Sequence, residues 1–330
     1  INMDFENIGA RFHNWFKDNY NKGLLEKAIN KDIEGFMKDS YHFYLKYFLL
    51  IKSAETTLTK GLEHIYYHQH WGISPFLSYP LYLAPIKLGD NDPTCRAKMN
   101  LVAKHLESFA VRRAINYKLF SASSIRYTMC SLVKSIRCLN LNELHDTLVA
   151  SISEQESVFD FGKLTSFRLH MQNGRFVKFF LSRITSFIEE ECGMGSNYVR
   201  YMTNPDCKPY EIEHIWSDHP EWHTDEFQDK MEFADARNTI GDLVLLQNGI
   251  NQSLNDMNWK NKIPYYIKEN MLARSLCDFA YYNHPAFLSF IHKYNLPFKE
   301  YTTTDFKYPA IKERCVLYQK IAEHLWSKEL

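Results

Sequence analysis

The chain predicts a mainly α protein with one small α+β module, and three observations carry that expectation. Apolar residues recur at helical spacing along most of its 330 residues. Alternation of apolar and polar positions, the period of a half-buried strand, is convincing only between about 209 and 272. A Gly-, Asn- and Pro-bearing stretch, GMGSNYVRYMTNPDCKPYE at 193–211, separates the two regimes.

Each element follows from its own pattern. RAKMNLVAKHLESFAVRRAINY at 96–117 places Met99, Leu101, Val102, Leu106, Phe109, Ala110 and Ile115 at helix-like intervals with charges between them. Similar patterns predict helices within 24–50, 123–138, 141–153 and 175–190. Pro and Gly cluster in GISPFLSYPLYLAPIKLGDNDP at 72–93, which predicts a kinked, partly extended connection. Tyr210 and Ile212, with Glu211 and Glu213 between them, predict a half-buried strand, broken by Asp218 and Pro220. A second β-rich run holds Thr239, Ile240 and 243–246. A polar turn at 247–249 follows, and Asn251 opens a helix-like segment. Helical periodicity returns from about 258, including IKERCVLYQKIAEHLW at 311–326. The expected division is a helical domain at 1–165 and a second domain at 166–330, with a two-strand-and-helix core at about 209–272.

Composition limits the function classes. The chain is 45% hydrophobic and 15% aromatic, enough for a large core. Lys and Arg number 39 and Asp and Glu 39, so nucleic-acid contact would need a local basic patch rather than a global field. Seven cysteines, scattered and without a C-x-x-C pair, argue against a disulfide framework or a Cys-rich zinc site and for a reducing, cytoplasmic setting. The apolar runs FYLKYFLL at 43–50 and FVKFFL at 176–181 are too short and too interrupted by Lys to cross a bilayer, and no signal peptide precedes them. The sequence opens on Ile1 without an initiator Met and reads as a fragment lacking an upstream region. No fixed-period repeat or low-complexity tract is present.

The chemistry is concentrated in YEIEHIWSDHPEWH at 210–223, where His214 falls near a strand end. A histidine on one strand, a second strand, and a helix opening on an amide match what a one-metal nuclease needs. One side chain takes a proton from water, and oxygen donors hold Mg²⁺ or Mn²⁺ against the scissile phosphate. The copy of Glu-His-Ile at 63–65 serves as an internal control. It has no matching downstream run, so His64, His68 and His70 read as part of a packed surface helix. His219 and His223 read as solvated loop residues, and the aromatic-rich helices as core rather than a stacking platform. Arg112, Arg113 and Arg274 fit either phosphate contact or surface charge.

EHI at 213–215, IGDLVLL at 240–246, Asn251 and SLNDMNWKNK at 253–262 together resemble the C-terminal HNH-type (ββα-metal) nuclease domain of GmrSD-like, modification-dependent restriction proteins. FAVRRAIN at 109–116, FVKFFLSRI at 176–184 and WKNKIPYYIKENMLARSLCDFA at 259–280 extend the likeness. The resemblance implies His214 as general base, with Glu213 and Asn251 as ligands of a divalent cation. It implies Asn255 and Lys262 as groups that orient a ligand or touch phosphate. Asp242 departs from the family's usual Asn, a residue that bonds the loop and orients the base. A carboxylate there, where it lies within hydrogen-bond reach of the His214 ring, is expected to raise that pKa and delay activity to higher pH. The implied substrate is foreign, modified DNA. The family's upstream nucleotide-hydrolysing domain, with its DGQQR-type motif, is not found in this sequence, and homo-oligomerisation stays open. Two other classes stand beside this one: a degenerate nuclease serving as a nucleic-acid-binding or regulatory module, and a helical interaction scaffold in which 210–262 is a structural hairpin.

Overall fold

The computed structural model describes residues 33–118, 121–156, 159–202, 208–254, 256–282, 284–302 and 305–327, with the isolated residues 14 and 18. The chain divides into two compact units, one formed by Ile1–Ala110, Leu119–Glu156 and Lys328–Leu330, the other by Val111–Lys118 and Ser157–Ser327.

The first unit is helical among its described residues. Its longest element, within Asp92–Ile115, buries Met99, Val102, Ala103, Leu106 and Ala110, the three-and-four spacing read from the sequence. Ala122–Ser135 and Leu141–Glu156 add Ile125, Leu144 and Leu148 to the same core. The expected extended connection at 72–93 contains a nine-residue helix, Pro75–Leu83. Pro75 fits its first turn, where an amide proton would have no partner, and burial of Leu77, Leu81 and Tyr82 outweighs the bond lost at Pro80. The second Glu-His-Ile lies on helix Glu63–Gln69, which is buried at Ile65, Tyr66, Tyr67 and His68 rather than riding on the surface.

The second unit is built around helix α1, Gly174–Glu191, which buries Phe179, Phe180, Leu181, Ile184 and Ile188. Its buried Glu189 accepts bonds from Tyr201 Oη at 2.7 Å, Asn197 Nδ2 at 2.9 Å and the Met271 amide at 3.2 Å, so the carboxylate is satisfied away from water. Gly193 and Gly195, at φ 74° and 76°, then turn the chain in a conformation that favours glycine.

Strand β1, Tyr210–His214, pairs antiparallel with β2, Leu243–Gln247, and His214 stands opposite Leu243. Between them lie helix α2, Lys230–Arg237, capped by Asp229, and a 3-10 turn at Ile240–Asp242. Thr239 and Ile240, read from sequence as strand, form the entry to that turn instead. After β2 come α3, Ile250–Leu254, and α4, Trp259–Tyr266, whose N-cap Asn258 accepts from the Asn261 amide. The sheet is not half-exposed. Leu243, Val244, Leu245 and Leu246 are all fully buried, and Glu213 on the supposed solvent face is 2% exposed, because α4 covers it.

Helix α5, Tyr308–Leu325, closes the unit over the 3-10 turn. Gly241 lies directly beneath Ile311 and Cys315, leaving no room for a Cβ. Arg314 Nε donates to the Gly241 carbonyl at 3.1 Å and Tyr318 Oη to the Leu243 carbonyl at 2.8 Å. Asn270 ties the far side, donating from Nδ2 to the Leu245 carbonyl at 2.6 Å while Oδ1 caps the helix Met271–Arg274. No helix among the described residues is long and apolar enough to cross a membrane.

Candidate active site

Strand β1 ends on the Glu213–His214 pair, and the two side chains have different surroundings. Lys262 of α4 places Nζ 2.7 Å from Glu213 Oε1 and 2.8 Å from the His214 carbonyl, and Tyr266 Oη donates to the same Oε1 at 3.3 Å. Glu213 Oε2 takes no hydrogen bond among the described residues. Burial raises the Glu213 pKa and the Lys262 charge opposes that shift.

His214 is half-buried, and its Nε2 lies 3.1 Å from Asn238 Oδ1 at the end of α2. No hydrogen bond among the described residues uses Nδ1. Burial, joined by the nearby Arg237 and Lys262 charges, lowers the pKa to about 3, so the ring is neutral at ordinary pH.

Asp242 does not bond the His214 ring. Its carboxylate accepts from the Trp216 amide at 3.2 and 3.3 Å, and its carbonyl from the Ile215 amide at 2.8 Å. It is fully buried, and desolvation pushes its pKa well above the usual carboxylate range. Asp242 therefore bonds the loop after β1, while the His214 ring is held by Asn238. The expected rise of the His214 pKa through Asp242 is not found; the shift runs the other way because burial dominates and the charges nearest the ring are cationic.

Residues 163–288 match the model of the family described as GmrSD restriction endonucleases, C-terminal domain. This region is GmrSD-like. The family points to a restriction endonuclease role. No curated protein and no solved structure matches the chain. The matched residues carry both strands, α1 to α4 and every described candidate side chain, and they end before α5.

Within the GmrSD-like region, Asn251 opens α3 with Nδ2 facing Glu211 Oε2 at 3.5 Å and the Ile212 carbonyl at 3.4 Å, and Asn248 Nδ2 donates to Glu211 Oε1 at 2.7 Å. The structure thus brings Asn251 to Glu211 and Glu213 to Lys262; it forms no bond between Glu213 and Asn251. Asn255 lies outside the described residues. No group of three or more His, Cys, Asp or Glu side chains placed to hold a metal ion occurs among the described residues. Among the described residues, the candidate ligand atoms without a hydrogen bond are Glu213 Oε2 and Asn251 Oδ1. Oxygen donors of this kind suit a hard cation, but no contact joins the two side chains among the described residues and Glu213 is 2% exposed, so they do not form one hydrated site as the chain is folded here. Lys262 and Glu211 would act behind them, orienting the ligand side chains.

The loop after β1 differs from the solvated segment expected. His223 is 7% exposed, packs its ring 4.0 Å from that of Trp216 and bonds Glu226 through Nδ1. His219 stays outside, 2.6 Å from Glu221 and stacked on Trp222. Beside it opens a pocket of about 390 Å³ lined by Trp216, Trp222, Trp259 and Phe306, with Lys260 and Lys307 among its polar groups. Arg112 and Arg274 are structural: Arg112 donates to the Trp326 carbonyl, and Arg274 to those of Ile267 and Glu269. Sequence reasoning missed Arg237 and Asn238. Their only signal was an Arg-Asn pair closing an eight-residue helix, which an ordinary helix end also carries.

Proposed function

We propose that the GmrSD-like region is a ββα-metal, HNH-type endonuclease that hydrolyses phosphodiester bonds of foreign, modified DNA. The observation that supports this reading is His214 at the end of β1, next to Glu213, with Nε2 held by Asn238 and no described hydrogen bond to Nδ1.

His214 Nδ1 takes a proton from a water molecule as the water oxygen forms its bond to phosphorus. The bond from phosphorus to the 3′-oxygen breaks, and that oxygen leaves with a proton from solvent, giving a 5′-phosphate and a 3′-hydroxyl. Asn251 Oδ1, joined by Glu213 Oε2 once the strand end opens to solvent, would hold the divalent cation, Mg²⁺ or Mn²⁺, which when bound stabilises the charge on the phosphate and departing oxygen. Lys262 keeps Glu213 in place and ties it to the backbone of the base. Trp222, 41% exposed at the rim of the aromatic pocket, offers a ring face to a base of the substrate.

The test is cleavage of plasmid DNA, unmodified and base-modified, by wild type, His214→Ala and Asn251→Ala with Mg²⁺, Mn²⁺ or chelator. Cutting by wild type that needs the cation and is lost in both variants, with unchanged circular dichroism, supports the reading. A folded wild type that binds DNA without cutting it transfers the assignment to a nucleic-acid-binding module.

A further inference from the structure

We propose that Asn238 is the positioning residue of this site: it fixes His214 as the Nε2–H tautomer and so makes Nδ1 the basic atom. The inference rests on the assignment of His214 as the base, and it begins at the end of α2.

Asn238 is the C-cap of that helix. Its amide nitrogen Nδ2 lies 2.8 Å from the Ala234 carbonyl, and its backbone N–H bonds the same carbonyl at 3.0 Å. A carbonyl oxygen only accepts, so the NH₂ group must face Ala234, and this settles which end of the side-chain amide is which. The oxygen Oδ1 is thereby turned to His214 Nε2, 3.1 Å away. An amide oxygen also only accepts, hence Nε2 must carry the proton. A neutral imidazole has a single N–H, so Nδ1 is left with its lone pair.

The residue is also held from behind. The Asn238 carbonyl accepts from the Leu169 amide at 2.8 Å, and Thr239 bridges Arg168. Asn238 is therefore fixed through its backbone on two sides and through Nδ2 on a third, leaving Oδ1 with one task. An Asn that merely ended the helix would need Nδ2 and the backbone, and Oδ1 would be dispensable.

The experiment is ¹⁵N NMR of the full chain labelled at histidine, with His214→Ala identifying the resonances, followed by cleavage rates across pH. Wild type is expected to show the Nε2–H tautomer at pH 7. Asn238→Asp keeps the acceptor, so it should retain that tautomer. Asn238→Leu should give a mixture of tautomers and cleave about 10- to 100-fold more slowly at every pH. Wild type in the Nδ1–H form, or Asn238→Leu with an unchanged tautomer, overturns the proposal. If Asn238→Leu does not fold, the wild-type and Asn238→Asp tautomers decide, the Nδ1–H form in either overturning the proposal. Tautomers are read without DNA, so a chain that never cuts but shows the Nε2–H pattern defeats the nuclease reading alone.

Discussion

Lys262 Nζ sits 2.7 Å from Glu213 Oε1, and the two residues are 1% and 2% exposed. An ion pair closed off in this way is costly to break by halves, because the remaining charge is left buried with only neutral partners. Lys262→Met should lower unfolding stability by about 3–5 kcal/mol, measured by urea titration at pH 7. The double change with Glu213→Leu should recover most of that loss while leaving DNA uncut. Equal stability of single and double variants would mean that the pair is not what holds α4 to the strand.

The direction of the His214 shift makes a kinetic prediction. Its pKa lies near 3, so the ring gains a proton only far below neutrality, and log(kcat/KM) for cleavage should show no acid limb from this group between about pH 5 and 8. A limb centred near the ordinary histidine value would show the ring to be solvated in the working enzyme.

Asp242 titrates in the opposite sense. Burial raises its pKa, so the folded state holds its proton above the unfolded value, and stability present at acid pH is lost as pH rises through the folded pKa. Asn, neutral at every pH, removes that loss. Asp242→Asn should therefore melt higher than wild type by a margin that is larger at pH 8 than at pH 4, by about 1–2 kcal/mol at the alkaline end. The pH–rate profile should not move, because the carboxylate does not touch His214.

The clamp of α5 predicts that residues 163–288 are insufficient alone. Ending the chain after residue 288 removes Arg314 and Tyr318 from the Gly241 and Leu243 carbonyls and takes Phe306 from beneath Trp216, whose Nε1 donates to it at 2.6 Å. Such a chain should lose its cooperative thermal transition. Tyr318→Phe, a milder cut, should cost about 1–3 kcal/mol by leaving a buried carbonyl without its donor.

Trp222→Ala should weaken binding of single-stranded DNA by about 5- to 150-fold at constant salt, the usual worth of one stacked base, with little change in melting temperature. Unaltered affinity in a fluorescence titration would place the DNA elsewhere.

The helices and the hairpin were legible because periodicity survives burial: Val102 and Leu106, or Tyr210 and Ile212, keep their spacing whatever they pack against. Asn251 at a helix start was legible for the same local reason. Glu213 was not, since its alternation reads as a solvent face and only α4, 49 residues on, reveals that the face is covered. Asn238 was hidden more deeply. Its role depends on which carbonyl its NH₂ meets and on a histidine 24 residues earlier, a relation that no window of sequence displays. His223 illustrates the reverse, a polar loop residue drawn under Trp216 by ring packing.

Cys315, pressed against Gly241 by α5, has its thiol pushed up to about 12 by burial, whereas Cys138 is exposed. Thiolate is the reactive form, so the two cysteines keep different clocks: Cys138 should alkylate at once, and Cys315 only in the moments when α5 lifts from the hairpin. The chain thus carries its own opening sensor. The rate at which mass spectrometry finds Cys315 modified measures how often the roof of the site comes off, and any ligand that seats in the hairpin should slow that rate without approaching the sulfur.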